Sequence, residues 1–364
     1  MRPVVSAMIG FPMRLAQFWV AAFVIAASAA TAQPVTKVRF VQAHPNVAIG
    51  EEVFLYAVPK ALGYFRAEGL DVEMTSASNG VAAGQFLQSG RAEFATIVAE
   101  GMLSMREQGA TPLAFSSLKQ HNGYSVGLLP GSPITSLADL SGKAVGFVSA
   151  GSGTAKILAE SLRRIGIAPT FRSISVGGGP QIATALRSGA VDAVMLWDAV
   201  FGMLANQGLR LDHIELPIQD ELAGMAMVTT EAYAASHPGV VAGFCRAFNK
   251  GLYFTRLNPE AAVRIFYKEF PTVRPADKDE ATAVAEGVQV LKTWLSYAEK
   301  GVDLEARTGR LDPARWDFSA ATFARLGDLK GTTSGSAAIT NTFFEPCNDF
   351  DRAPIAAQAS AASR

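Results

Sequence analysis

One pattern constrains this chain more than its composition does: an unbroken strand–helix–strand–helix–strand run between Leu140 and Val200. Asp139-Leu140-Ser141-Gly142-Lys143 makes a polar turn, and Ala144 to Val148 a short apolar strand. Ser149 to Thr154 follows as a small-residue loop. Lys156 to Ile165 then puts Ile157, Leu158, Ser161, Leu162 and Ile165 on one helical stripe, stopped by Gly166. Phe171 to Val176 predicts a second strand, the residues up to Arg187 a short helix, and Val191 to Leu196 a third strand. Such a run folds as a parallel sheet with right-handed crossovers. Ligands of open α/β sheets sit at the carboxyl ends of the strands, which singles out Ser149–Thr154 and Trp197-Asp198-Ala199.

A second run of the same plan lies upstream. Lys37–Val41, Asp71–Met74, Gly90–Val98 and Leu113–Leu118 read as strands or turn-plus-strand. Helices over Phe54–Leu62, Gln85–Ser89 and Gly101–Gln108 separate them. Ser89-Gly90-Arg91-Ala92-Glu93 and Ser188-Gly189-Ala190-Val191-Asp192 occupy matching places, each with Ser-Gly ahead of a strand and an acid at the same position. Two topologically similar lobes follow. Lys119–Ser125 predicts the link from the first lobe to the second, and Leu216–Val228 the return. From Glu231 the pattern is helical over Val240–Phe254, Pro259–Tyr267 and Lys278–Ala298, with Asn258-Pro259 and Arg274-Pro275 as breaks. Gly331–Ala338 is low in complexity.

The amino terminus reads as a secretory signal over residues 1–32. Arg2 and Arg14 precede the largely apolar Leu15–Ala30, and Ala30-Thr31-Ala32 gives the small-x-small cleavage pattern before Gln33. The remainder of the 364 residues suits two domains. Lys plus Arg and Asp plus Glu balance at 32 each, so no basic patch points to nucleic acid. Cys245 and Cys347 give no framework spacing, and the sequence leaves their pairing open.

Three segments carry a family resemblance. Ala61-Leu62-Gly63-Tyr64-Phe65 leads into Glu68-Gly69-Leu70-Asp71-Val72; Asp139-Leu140-Ser141-Gly142-Lys143-Ala144-Val145-Gly146 opens the second lobe; and Gly189-Ala190-Val191-Asp192-Ala193 comes third, in that order. Together they resemble the periplasmic substrate-binding proteins of ABC importers for nitrate, sulfonates, taurine and thiamine-pyrimidine precursors, over roughly Lys37 to Tyr297. The resemblance implies an α/β, two-lobed type II periplasmic binding fold with a ligand cleft between lobes that close by a hinge. It also implies a small-molecule ligand, an inner-membrane ABC permease as partner, a periplasmic address and no cofactor. Lobe 1 is expected over 37–122 plus 224–345, lobe 2 over 123–223, and a disordered tail over 346–364. Many relatives carry an acid-proline pair after the Val-Asp-Ala strand; this chain has Trp197-Asp198 there, so the resemblance carries no ligand across.

A catalytic set is not evident. His44, His121, His213 and His237 have no paired-ligand spacing, and there is no Gly-x-Ser-x-Gly elbow, Walker loop or dinucleotide fingerprint. Gly177-Gly178-Gly179 reads as a turn. Binding candidates lie at strand ends. Gly151, Ser152, Gly153 and Thr154 offer backbone N–H groups at a helix start, or an ordinary N-cap. Trp197 can stack on a flat ligand or join the core, and Asp198 can accept from a ligand or cap the next helix. His44, Asn46, Ser78 and Asn79 are turn residues within reach of the cleft. Glu100 follows a strand, and His121 sits at the expected hinge. The resulting expectation is a monomeric binding protein for a flat organic molecule, nitrogen-bearing or aromatic, or sulfonate-like. The alternatives are an exported enzyme or a ligand-sensing module on the same fold.

Overall fold

The computed structural model describes residues 35–148, 153–177, 179, 181–299 and 307–362. The expected signal, and Gly151 and Ser152 of the expected binding loop, lie outside the described residues.

Two five-stranded sheets form. The first holds β1 (Thr36–Gln42), β2 (Leu70–Ser76), β3 (Phe94–Val98), β4 (Pro112–Ser117) and β10 (Met225–Thr230) in the order β2-β1-β3-β10-β4. The second holds β5 (Tyr124–Leu128), β6 (Ala144–Phe147), β7 (Arg172–Ser175), β8 (Ala193–Trp197) and β9 (Asp212–Glu215) in the order β7-β6-β8-β5-β9. β1 runs parallel to β2 and β3, and β6 parallel to β7 and β8. β10 and β5 hold the same place in their sheets, and each is antiparallel to both neighbours. The two lobes are thus one topology used twice. In each, the antiparallel strand is the one that arrives from a crossing between lobes.

The sequence pattern gives four strands in the upstream repeat and three in the downstream one, with Tyr124–Ser125 and Met225–Val228 as connection. Both segments are paired strands, so the crossings shrink to 118–123 and 216–224. β9 escaped notice because Asp212 and His213 are exposed and give no apolar alternation.

The repeated Ser-Gly-x-x-acid has a mechanical cause. Gly90 and Gly189 adopt positive φ (65° and 72°), where a side chain would be strained, and end the helices α3 (Gly80–Gln88) and α6 (Gln181–Arg187). The acids then start the ladders. Glu93 Oε2 accepts the Arg39 N–H at 2.6 Å, and Asp192 Oδ2 accepts the Ala144 N–H at 2.8 Å. Each carboxylate therefore seats the central parallel pair of its sheet.

Helices cover both sheets. A π-helical turn (Val53–Ala57) runs into α1 (Val58–Ala61), followed by α2 (Tyr64–Ala67); α4 spans Ala99–Glu107, α5 Gly153–Arg164 and α7 Asp198–Asn206. α8 (Glu231–Ser236), α9 (Pro238–Leu257), α10 (Pro259–Glu269) and α11 (Glu280–Ala298) follow β10. Phe244 on α9 organises the first core. Its ring stacks on Phe94 (centroids 4.2 Å apart, 9° between planes) and on Phe65 (5.6 Å, 11°), tying α9 to β3 and α2.

The carboxyl-terminal segments are ordered. α12 (Pro313–Arg325) packs on α4, and α13 (Phe344–Asn348) carries Cys347, which is disulfide-bonded to Cys245 of α9 across 102 residues of sequence. α14 (Ala353–Ala361) lies on α9 with Ile355 and Ala359 buried. Asn258 Nδ2 donates to the Ala359 carbonyl at 2.8 Å. The expectation of a disordered tail over 346–364 is therefore wrong for the part described. An alanine-rich stretch reads as simple sequence, yet alanine is the best helix former, and its small side chain lets a helix lie close on a neighbour.

No helix among the described residues is long and apolar enough to cross a membrane.

Glu68 at the end of α2 takes two bonds from Arg246 Nε (3.0 Å each) and one from Lys250 Nζ (2.7 Å), pinning α2 to α9. Burial alone would raise the Glu68 pKa, but these donors outweigh it and hold the carboxyl below its ordinary value of 4.5. A depressed carboxyl contributes stability that is present above the unfolded value and is lost as pH falls through the folded one. Glu68→Gln should therefore lower the melting temperature near pH 7 and flatten its decline below about pH 4.5, as thermal unfolding across pH 3–7 would measure. An acid limb as steep as in the unaltered protein would contradict the assignment.

Candidate functional site

The carboxyl ends of β1, β2 and β3 in one lobe, and of β6 and β8 in the other, are the places where a ligand meets a sheet of this kind. The loop after β1 is the most elaborate. His44 is half-buried, with Nδ1 2.8 Å from the Asn46 carbonyl oxygen. Its Nε2 lies 3.2 Å from Glu51 Oε1 and 3.5 Å from Glu52 Oε1. Both carboxylates are buried, and Glu52 Oε1 also accepts the Ala48 N–H at 3.3 Å. Burial disfavours the imidazolium, but the hydrogen bond and charge of Glu51, and then the charge of Glu52, outweigh it and push the His44 pKa up to about 9. Burial likewise works against Glu51, whose pKa is nonetheless lowered by His44. Burial and the neighbouring Glu51 push Glu52 up to about 8.

Two residues from far along the chain close this loop. Trp294 of α11 is buried, lies 5.1 Å from the Phe54 ring, and stands beside Gly50, where a Cβ would be in ordinary contact with the indole. Lys119, on the first crossing, sits with Nζ 4.5 Å from the Trp294 ring, and its charge also lowers Glu51.

A second polar group bridges the lobes. Glu100, in the first turn of α4, is partly buried. Burial first, then the charge of Asp328, raise its pKa against the opposing pull of Lys156. Lys156 on α5 is ion-paired with Asp328, and Arg325 Nη2 donates to Glu160 Oε1 of α5 at 2.9 Å. α12 and the residues after it therefore grip the second lobe while resting on the first.

His121 belongs to the crossings. It pairs with Ala223 in an isolated bridge, and its Nδ1 lies 3.2 Å from the Asp220 carbonyl and 2.9 Å from Arg315 Nη1. Asn46 is exposed and lends only its carbonyl to His44, Ser78 is exposed, and Asn79 is the N-cap of α3, accepting the Ala82 N–H at 3.0 Å. Gly153 is the first residue of α5 and Thr154 the second, the latter partly buried.

Trp197 ends β8 and precedes α7, opposite Tyr124 of β5 in the ladder. At 37% exposure it is among the few large apolar side chains left open. Asp198 is the first residue of α7, and its side chain lies outside the described residues. α7 packs against α11, where Gly202 comes within about a methyl group of the Val290 backbone, so α11 carries Trp294 to the same flank of the second lobe. A hollow beside Trp294 is lined by Phe54, Phe248, Asn249, Leu252 and Arg256, with Ser117 and Leu118 at the end of β4.

Sequence reasoning found His44, Glu100 and Trp197 but missed Glu51, Glu52, Lys119, Lys156 and Trp294. Two acids at a helix start look like ordinary complements of the helix dipole. Only the later-arriving α11 reveals that they are buried.

A family model for NMT1/THI5-like proteins matches residues 52–262, and the chain belongs to that family. The riboflavin-binding protein RibY of Chloroflexus aurantiacus is 25% identical over 291 residues, covering 79% of this chain and 81% of that protein. Among solved structures, the periplasmic aliphatic sulphonate binding protein SsuA of Escherichia coli matches with a TM-score of 0.63 at 16% identity, over 84% of this chain and 92% of its own. The alkanesulfonate-binding SsuA of Xanthomonas axonopodis pv. citri, solved with MOPS, gives 0.58 at 16% identity over 84% and 98%. The fold is the α/β, two-lobed fold of periplasmic binding proteins.

The two tryptophans should respond oppositely to truncation. Trp294→Ala removes a buried indole and should cost about 3–5 kcal/mol of unfolding free energy. Trp197→Ala should cost less than Trp294→Ala, since over a third of Trp197 already faces solvent. Urea unfolding of both variants would measure this, and equal losses would place Trp197 in the core.

Proposed function

We propose that this chain is the exported, monomeric solute-binding component of an ABC importer, released into the periplasm without residues 1–32. In this reading it carries a flat, nitrogen-bearing organic molecule to a membrane permease. The observation that carries the ligand class is Trp197: an open indole at the carboxyl end of a central strand has the place and shape of a stacking wall.

The charge pattern supports the same class. The end of β3 brings Glu100 to the first lobe, and no arginine stands in the strand-end loops to clamp a strong anion in two-pronged fashion. That environment suits a solute with N–H donors better than a sulfonate. The similarity to a riboflavin-binding protein agrees with a planar heterocycle, while the likeness to sulfonate-binding structures is one of fold. Release into the cleft of a permease would follow opening about the two crossings, 118–123 and 216–224.

The experiment is a thermal-shift panel of riboflavin, simple pyrimidines, aromatic carboxylates and alkanesulfonates. A true ligand at 100 times its dissociation constant adds about 2.7 kcal/mol to stability. Planar heterocycles should raise the melting temperature, and Trp197→Ala should weaken their binding by about 1–3 kcal/mol, as expected for lost stacking. A panel in which only alkanesulfonates stabilise the protein would overturn the ligand class.

A further inference from the structure

The loop after β1 brings three metal-ligating side chains to one point. One donor atom each from His44, Glu51 and Glu52 lies within 4.8 Å of the others. The two edges from His44 Nε2, 3.2 Å to Glu51 Oε1 and 3.5 Å to Glu52 Oε1, have the length that a tetrahedral site requires. Donors about 2.1 Å from a common ion lie about 3.4 Å apart.

The far side of the imidazole is arranged for the same purpose. The Asn46 carbonyl can only accept, so the 2.8 Å contact puts a proton on Nδ1. In the neutral ring Nε2 then turns a lone pair toward two carboxylates, an arrangement that needs a positive charge among the three. A ligating histidine with its other nitrogen bonded to a backbone carbonyl is the usual outer contact of a metal site. The carboxylates are too enclosed for an organic molecule, at 8% and 1% side-chain exposure, whereas His44 at 36% leaves a small ion an approach. Lys119 is the other cation whose charge reaches Glu51, and it faces Trp294. The occupants competing with a metal are protons, one on His44 Nε2 and one on Glu52, which would make the cluster an imidazolium–carboxylate ion pair with Glu51.

We propose that His44, Glu51 and Glu52 hold one divalent transition-metal ion of the Zn2+ class, with three protein ligands and an open position on the exposed side of the imidazole. The site stands apart from the stacking wall and does not depend on which solute the cleft takes.

The test uses the full mature chain, stripped with a chelator and titrated with ZnCl2 in a calorimeter and by competition with a chromophoric chelator. One equivalent should bind, and Zn2+ alone should raise the melting temperature. Glu51→Gln and Glu52→Gln keep side-chain shape, so their folding can be confirmed by circular dichroism. Each, like His44→Ala, should weaken binding at least about 100-fold, beyond the about 10–100-fold typical of losing an outer contact. Co2+ in place of Zn2+ should give visible d–d absorption that these variants lack. Absence of stoichiometric binding, or binding that the folded Gln variants leave unchanged, would overturn the site and leave the ion pair as the cluster's whole role.

Discussion

The cleft depends on one guanidinium. Arg315 of α12 donates to the Asp220 carbonyl on the second crossing and lies 2.9 Å from His121 Nδ1 on the first. One turn on, Ser319 Oγ accepts the Ala223 N–H at 2.8 Å. The two strands that join the lobes are thus buckled together by a helix that comes after both. Without that buckle β5 and β10 would still pair within their sheets, but the angle between the sheets would rest on two short peptide segments. α12 then reaches the second lobe through Arg325 and Glu160, while Arg164 of α5 lies over the Phe318 ring at 5.3 Å. Any opening of the lobes has to slide or break this seam, because packed interfaces shift between discrete arrangements and do not stretch.

The charged places at the first strand's end are filled by the chain itself. A helix amino terminus after the first strand favours anions by its dipole. Here Glu51 and Glu52 occupy that terminus with carboxylates of the chain itself, and His44 and Lys119 answer them. A strong anion arriving there would meet a place already taken. Fold similarity at 16% identity therefore says little about what such a loop holds.

Much of the architecture was legible because it is local. Strand, turn, helix and glycine stop follow one another in the stretch around Ser149–Arg187, and Ser-Gly-x-x-acid marks the same joint in both lobes. The helices of the later half announced themselves by period and by Asn258-Pro259. What stayed hidden is what depends on partners far away in sequence. β9 is a polar edge strand, and β10 is recognisable only once β3 and β4 flank it. Glu52 is buried next to Gly50, whose other neighbour, Trp294, lies more than two hundred residues on. His44 and Trp197 could be read as candidates because strand-end position is a local property; their neighbours could not.

The disulfide between Cys245 and Cys347 sets an order of assembly. The second sheet is built from one continuous stretch, Tyr124 to Glu215, so every pairing it needs is present once that stretch is free. The first sheet waits for β10, and the helices sealing its core wait for α9 and then for the segment holding Cys347. A chain that emerges from its amino end therefore exposes the unfinished face of its earlier lobe until α9 and α13 have followed. The covalent link fastens α13 to a helix about a hundred residues earlier in sequence. Oxidation thus acts on an already gathered structure as a clasp, and a chain truncated before Cys347 would leave that clasp open and the Phe244 core thinly covered.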